Sequence, residues 1–482
     1  MTERRSMFIG GAWVQAADGQ TLESLNPATG DAIGTVPKGD REDARRAIAA
    51  ANVACPAWAG LSAFDRARAL ERIHAAVAAR RDELARALTA DQGKPLRAEA
   101  FDEVDELLAY WQMGAEDAKR MEGLILPSID AAKRVFAYRV PRGVVGVITP
   151  WNWPYTMAAE VVAPALAAGN AVVWNPASST SLCSAVMAEA IADADLPPGV
   201  FNMVTGPGST VGDEIAVNPG TAAIGFVGSI DAGRAVAARA AGKDLLLEMG
   251  GNGPLVVLDD AGVDAAVEGT LAACFLNAGQ SCTAGERILV QGGIHDRFVA
   301  ALAAAIEREI RLGDPLVDDT TMGPLNNEPT AAKTERHVDD ARSAGAEIVA
   351  GGRRAAEHGS RLFFEPTVLD RVTADMEIAR EETFGPVAPV SVIRDVEEAI
   401  AIVNGSPYGL LSAIYTADLR VGLRFAESVR TGWVNINEGT NYWESHLPFG
   451  GRAGSNSGVG RVGGRFSMER LTELKTVIVN LG

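Results

Sequence analysis

From Gly143 onward the chain alternates between short β-branched runs and longer stretches of helical periodicity. The runs "GVVGVIT", "NAVVWN", "VFNMVT", "TAAIGFVG" and "DLLLEMG" are separated by stretches such as "SLCSAVMAEAIADADL" and "DAGRAVAARAAG". Strand and helix alternating in this way predict βαβ units and a mostly parallel sheet covered on both faces. From Asn252 a second alternating set begins, with "PLVVLDD", "RILVQ", "PVAPVSVI", "LLSAIYT" and "WVNIN" as its strands. The break near residue 250 is the expected domain boundary. Upstream, Arg41 to about Gly123 reads helical, with apolar residues three and four apart and charges on the remaining face. The segment "KRVFAYRVPRGVVGVITP" then reads as strand, cut in two by Pro141 and Gly143.

A chain of 482 residues exceeds one core, and two or three domains are expected. The formal charge of −18 argues against a nucleic-acid or anionic-membrane partner, both of which want a basic face. Four cysteines without C-x-x-C spacing or a His/Cys cluster fit free thiols in a reducing compartment, and no metal site is expected. No apolar stretch near the start resembles a secretion signal, and the run from Val161 to Trp174 is too short to span a bilayer. A cytoplasmic enzyme is the expectation.

Several strand ends carry side chains with chemical potential. Cys282, in "GQSCTAGER", has small or polar neighbours that leave a thiol accessible, as a nucleophile requires. Cys274 sits among apolar residues at helical spacing and reads as packing, as do Cys55 and Cys183. Glu248 ends an apolar strand at the edge where parallel sheets bind ligands, and partial burial there would raise its pKa toward that of a useful base. A carboxylate capping the next segment fits Glu248 equally. Asn152, in "TPWNWPY", follows another strand; it reads as an amide donor for an oxyanion or simply as a turn former. Two glycine-bearing turns stand out. Gly206, Gly208 and Gly212 form a G-x-G-x-x-x-G pattern one residue longer than the dinucleotide fingerprint. Gly228 and Ser229 open a helix whose free N–H groups suit a pyrophosphate.

Together, "PWNWP", "GNAVVWNPA", "FVGSIDAG", "LEMGGNGP", "FLNAGQSCTA", "EETFGPV", "YGL" and "PFGG" resemble the aldehyde dehydrogenase superfamily in kind and order. With "FIGGAWV" and "LTELKTVIV" the resemblance covers essentially the whole chain. It implies an α/β fold with a Rossmann-like cofactor domain (1–122 and 141–250) and an α/β catalytic domain (251–463). A small β oligomerisation flap (123–140 and 464–482) would join subunits into a homodimer or homotetramer. It further implies oxidation of a small-molecule aldehyde to an acid. Cys282 would attack the carbonyl carbon, Asn152 and the Cys282 N–H would hold the oxyanion, and Glu248 would activate the hydrolytic water. Trp151, Asn175, Pro176, Ser178, Gly208, Gly212, Phe226, Gly228, Ser229, Gly250, Glu382 and Phe384 would hold the dinucleotide. Glu382 would take the nicotinamide ribose.

The family usually has lysine at Asn175 and often glutamate at Ser178. The first departure removes a cation that NADP would want, and the second removes an anion that excludes it. The expectation is NAD, with NADP possible, because a phosphate without a basic partner loses a charge-assisted bond worth about 1.5–3 kcal/mol. "PFGG" continues as "RAGSNSGVGR", about two residues longer than usual for the family, with Ala453 near the usual lysine; Val227 and Asn252 depart mildly. By position, Trp153, Met157, Glu160, Tyr442 and Trp443 would line the aldehyde tunnel. An acidic, aromatic tunnel disfavours a carboxylate tail and suits a cationic or hydroxylated aldehyde, unless Glu160 points at a neighbouring helix or solvent. A CoA-acylating relative, which typically lacks the glutamate, and a non-catalytic scaffold protein of the lens-crystallin kind are the alternatives.

Overall fold

The computed structural model describes residues 3–482. Two large sheets organise the chain. The first has eight strands, and its five central ones, in spatial order, are Asp244–Met249, Ala223–Gly228, Val144–Ile148, Ala171–Asn175 and Phe201–Met203, all parallel. Every residue of Val144–Ile148 and Ala171–Asn175 is buried, as a strand covered on both faces must be. The second sheet has seven strands and is parallel from Thr367–Asp370 to Trp433–Ile436, with one antiparallel edge, Glu347–Ala350. Separate apolar clusters flank each sheet. The chain crosses between the sheets over only three residues, from Met249 at the end of one strand to Gly253 at the start of the next.

The helical region consists of Arg41–Ala59, Ala63–Ala79, Arg81–Gln92 and Phe101–Ala118. Alanine and glycine let helices lie close on the first sheet. The helix Thr156–Ala168 is buried on nearly every side, and a Cβ added at Gly225 would stand 2.4 Å from Val161 Cγ1. No helix among the described residues is long and apolar enough to cross a membrane.

A third, three-stranded sheet joins Leu124–Leu126, Lys133–Pro141 and Thr472–Asn480. It leaves Leu124, Ile125, Leu474 and Ile478 exposed. The C-terminal segment is less simply divided than a boundary near residue 250 implies. Gly458–Val459 returns to pair with Leu247 and Glu248 at the edge of the first sheet, and Met468 and Leu471 enter that sheet's core before the chain reaches the third.

Because Gly225 is in contact range of a backbone-anchored Val161, Gly225→Ala is expected to destabilise the protein by about 1–3 kcal/mol through overpacking. A thermal or urea unfolding curve matching that of the wild type would show that the helix can move away at no cost.

Candidate active site

One cavity of about 230 Å³ opens where the carboxyl ends of the first sheet meet the loops of the second. It brings together Cys282, Asn152 and Glu248, which are far apart in sequence. Of the four free cysteines, Cys282 alone is not fully buried. Cys274 and Cys183 direct their sulfurs at backbone carbonyls, Gly285 O at 3.0 Å and Thr180 O at 3.2 Å. Burial, aided by the charges of Glu382, Glu248 and Glu160, pushes the Cys282 thiol up, so the resting group is the thiol and not the thiolate.

The approach to Cys282 is a tight reversal. Asn277 and Ala278 both take left-handed conformations (φ 51° and 54°) after the helix Val263–Phe275. Such a non-glycine pair persists only where the surroundings hold it. Here Glu99 accepts from the Asn277 N–H (2.8 Å) and Gln92 donates to its side-chain oxygen (2.9 Å). The Asn277 amide in turn donates to the carbonyls of Asn152 (2.9 Å) and Gln280 (3.2 Å). Asn152 Nδ2 also donates to Gln280 O at 3.0 Å. One N–H of the Asn152 amide is thereby fixed, and the other makes no hydrogen bond among the described residues.

Glu248 is buried, and neither carboxylate oxygen has a hydrogen-bond partner among the described residues. Burial and the nearby Glu160 hold its carboxyl well above the usual range, with Arg461 opposing them. Space for that carboxyl depends on Gly450 (φ 151°), where a Cβ would lie 2.5 Å from Oε1. An orphaned buried acid facing a cavity is a poor structural cap and suits a proton acceptor for a molecule entering the site.

At one end of the cavity lie Trp151, Gly228, Ser229, Gly250, Glu382 and Phe384. Ser229 caps the helix Ile230–Arg239, accepting from Ala232 N. Glu382 accepts from Gly251 N at 2.8 Å and lies where any Gly250 side chain would be, with a Cβ 2.5 Å from Oε2. Trp151 and Phe384 meet edge to face, ring centroids 5.6 Å apart. Glu286, which the sequence did not point to, accepts from the Thr383 and Phe384 N–H groups and holds Phe384 in its left-handed conformation (φ 61°). Val227, Met249 and Lys333 complete this end and were also missed. A half-buried carboxylate for a diol, a flat apolar slot and a helix N-terminus fit the nicotinamide end of a dinucleotide.

Six expected cofactor residues lie outside this cavity. Asn175 is buried, and its amide is committed to the carbonyls of Val204 (2.9 Å) and Gly206 (3.2 Å). It braces the turn after Phe201–Met203, where its amide nitrogen is engaged by both carbonyls. Gly212 packs on its Oδ1, and Phe226 is buried beneath Gly228 and Gly233. Pro176, Ser178 and Gly208 sit on the same flank of the sheet, at and after strand ends.

At the other end, Trp153, Met157, Glu160 and Trp443 line the wall as expected by position. Tyr442 does not. It is half-exposed, and its hydroxyl donates to Glu444 (2.8 Å), while Asn441 takes its place in the wall. Glu106 and Phe449 were missed. The cue available for Glu106 was the spacing Glu106-x-x-x-Tyr110 on one helix face. Behind Trp153, the buried Lys94 pairs with Glu103 and sits 3.1 Å from the Trp153 ring centroid.

With this geometry in place, the comparisons with known proteins become decisive. Residues 13–477 match the aldehyde dehydrogenase family. The chain belongs to that family. It is 41% identical to the NADP-dependent succinate-semialdehyde dehydrogenase of Escherichia coli K12, over 99% of this chain and 98% of that one. It is 42% identical to a Pseudomonas aeruginosa glutarate-semialdehyde dehydrogenase, over 98% and 97% of the two chains. The solved betaine aldehyde dehydrogenase of Staphylococcus aureus in complex with NAD+ superposes with a TM-score of 0.95 at 34% identity, covering 99% and 95%. Oxidation of an aldehyde is therefore the class of reaction, and α/β sheets of this aldehyde dehydrogenase type are the fold.

Burial raises several acids of the site region, among them Glu99 to about 7, Glu106 to about 8 and Glu160 to about 8. An acid raised on folding binds its proton more tightly in the native than in the unfolded chain. Its contribution is therefore complete below the unfolded value and lost as pH climbs through the folded one. His337, lowered to about 4 by burial, stays neutral in both states above pH 7 and does not offset this loss. The melting temperature is expected to fall as pH rises from about 6.5 to 8.5, and less steeply in a Glu106→Gln/Glu160→Gln double variant. A melting temperature that is flat or rising over this range would contradict the assignment.

Proposed function

We propose that the protein is an NAD-dependent, hydrolytic aldehyde dehydrogenase in which Cys282 is the nucleophile, Asn152 the oxyanion donor and Glu248 the general base. The observation that carries this reading is Glu248, a buried carboxyl with two orphaned oxygens in the cavity that holds the one accessible thiol.

The chemistry follows from these groups. Cys282 gives up its proton and its sulfur adds to the aldehyde carbon, forming a thiohemiacetal. The free N–H of Asn152, with the backbone N–H of Cys282, receives the negative charge that develops on oxygen. When bound between Glu382, Phe384 and the Gly228–Ser229 turn, a nicotinamide dinucleotide supplies the hydride acceptor. What remains on Cys282 is a thioester. Glu248 takes a proton from water as its oxygen attacks the acyl carbon, and the acid departs with the thiol restored. Burial raises the proton affinity of both Cys282 and Glu248, which suits Glu248 to accepting a proton.

NAD is the preferred dinucleotide on this reading. The position where a lysine would meet a ribose phosphate is Asn175, and its amide is already bonded to two carbonyls. The E. coli relative is named for NADP, so this preference belongs to the chain's own residues. The presence of Glu248 favours water over CoA as acyl acceptor. The substrate is read as a cationic or hydroxylated aldehyde, because Glu160 lines the tunnel. The third sheet, with Ile125 and Ile478 exposed, is read as the contact that joins subunits of a homodimer or homotetramer.

With an oxidisable aldehyde and NAD, the wild type should release one free acid per NADH, and adding CoA should yield no acyl-CoA. Asn152→Ala should lower kcat by about 10²–10³. Glu248→Gln should give a burst of about one NADH per site followed by slow turnover. Cys282→Ala activity equal to that of the wild type would overturn the mechanism.

A further inference from the structure

The aldehyde end of the cavity is walled by two carboxyl groups and no cation. Glu160 projects from the helix Thr156–Ala168 and Glu106 from Phe101–Ala118, and both line the cavity. The Tyr110 hydroxyl donates to Glu160 Oε1 at 3.2 Å. Oε2 of Glu160 and both oxygens of Glu106 make no hydrogen bond or ion pair among the described residues. Lys94, whose charge reaches Glu106, is fully buried, paired with Glu103 and absent from the lining. The single cation of the cavity, Lys333, stands at the opposite end beside Phe384 and Glu382.

Aromatic rings complete this end. Trp443 lies 6.2 Å from the Tyr110 ring centroid and 5.9 Å from that of Phe449. A carboxylate tail entering here would be desolvated beside two acids with no cation in the wall to offset its charge, whereas a positive tail is offset when those acids ionise. A hydroxyl would use one donor and leave the acidic pair uncompensated. A primary ammonium brings three N–H donors to three free carboxylate oxygens, and its charge is also favoured against an indole face.

We infer that Glu160 and Glu106 form an ammonium-binding site, and that the substrate is a short ω-aminoaldehyde. This rests on the aldehyde-oxidising reading above and narrows it. Tyr110 is the positioning residue, fixing the Glu160 carboxyl by its Oε1. Because Glu160, Cys282 and Glu248 line one cavity of about 230 Å³, the tail is short. Two or three methylenes between carbonyl and nitrogen are the expected spacer, as in 3-aminopropanal and 4-aminobutanal.

Two measurements test the site. The first compares kcat/KM for 3-aminopropanal, butanal and succinate semialdehyde in the wild type, Glu160→Gln and Glu106→Gln. The wild type should prefer 3-aminopropanal over both others by about tenfold or more, and each variant should reduce that ratio, Glu160→Gln by about tenfold. Preference for succinate semialdehyde, or an equal fall for aminopropanal and butanal in both variants, would overturn the site. The second measurement needs no turnover. Propylammonium chloride should slow alkylation of Cys282 by iodoacetamide, followed by mass spectrometry, in the wild type and not in Glu160→Gln. Butanal oxidation without such protection would sink the ammonium site and leave the activity standing. Protection without oxidation of any aldehyde would do the reverse.

Discussion

The amide of Asn277 ties the two halves of the catalytic centre together. From one nitrogen it donates to the carbonyl of Asn152, on a loop of the first sheet, and to that of Gln280, two residues before Cys282 on the second. Both carbonyls lie in the interior, where an unsatisfied acceptor costs about 1–3 kcal/mol and a neighbouring hydrogen bond gains strength. The left-handed turn at 277–278 is thus held from both sides. Asn152 and Cys282 gain a common frame, although they belong to different sheets. Glu99 and Gln92, from the N-terminal helices, extend that frame to a third layer. The catalytic geometry is a property of the packing between layers and not of any one loop.

Charge is the second organising constraint. The cavity lining contains Glu106, Glu160, Glu248 and Glu382 against Lys333 alone. Buried acids in one space raise one another's proton affinity, and the site responds by staying largely neutral until something positive arrives. Glu160 and Glu248 thereby share one electrostatic environment with Cys282, opposed at Glu248 by Arg461.

The parallel sheets were legible from the alternation of short apolar runs with helical stretches, because burial on both faces leaves no other pattern for such strands. Cys282, Glu248 and Asn152 were legible for a related reason: each follows or ends such a run, at the edge where a parallel sheet presents side chains to a ligand. The residues that went unseen act across long separations. Glu106 lines the same cavity as Glu160, which lies on another helix more than fifty residues later, and Glu286 grips Thr383 and Phe384 nearly a hundred residues later. Spacing along the chain cannot report such contacts. The exchange of Tyr442 for Asn441 has a different origin. No periodicity governs which way side chains face in an irregular segment, so a one-residue error carries no internal contradiction. The two hydrogen bonds that the Asn175 amide gives to Val204 and Gly206 were likewise invisible in the sequence, because they join turns about thirty residues apart.

The long "RAGSNSGVGR" segment, opaque as sequence, acquires a physical sense from its pairing. Gly458 and Val459 add a short antiparallel edge to the strand carrying Glu248. Ser457 donates its hydroxyl to Gly250 O (2.8 Å), and its carbonyl receives Met249 N. Both residues beyond Glu248 are thus pinned, and the register of the base is set by backbone bonds on either side. The room this needs comes from glycine, since a Cβ at Gly458 would stand 2.1 Å from Leu247 O. Arg461 then turns back to bond the carbonyls of Gly451 and Gly460 at 2.7 Å each, bringing to Glu248 a positive charge that lowers its proton affinity. Without hydrogen bonds of its own, the Glu248 carboxyl keeps both oxygens free for water. Its position therefore depends on the strand pairing that the segment provides.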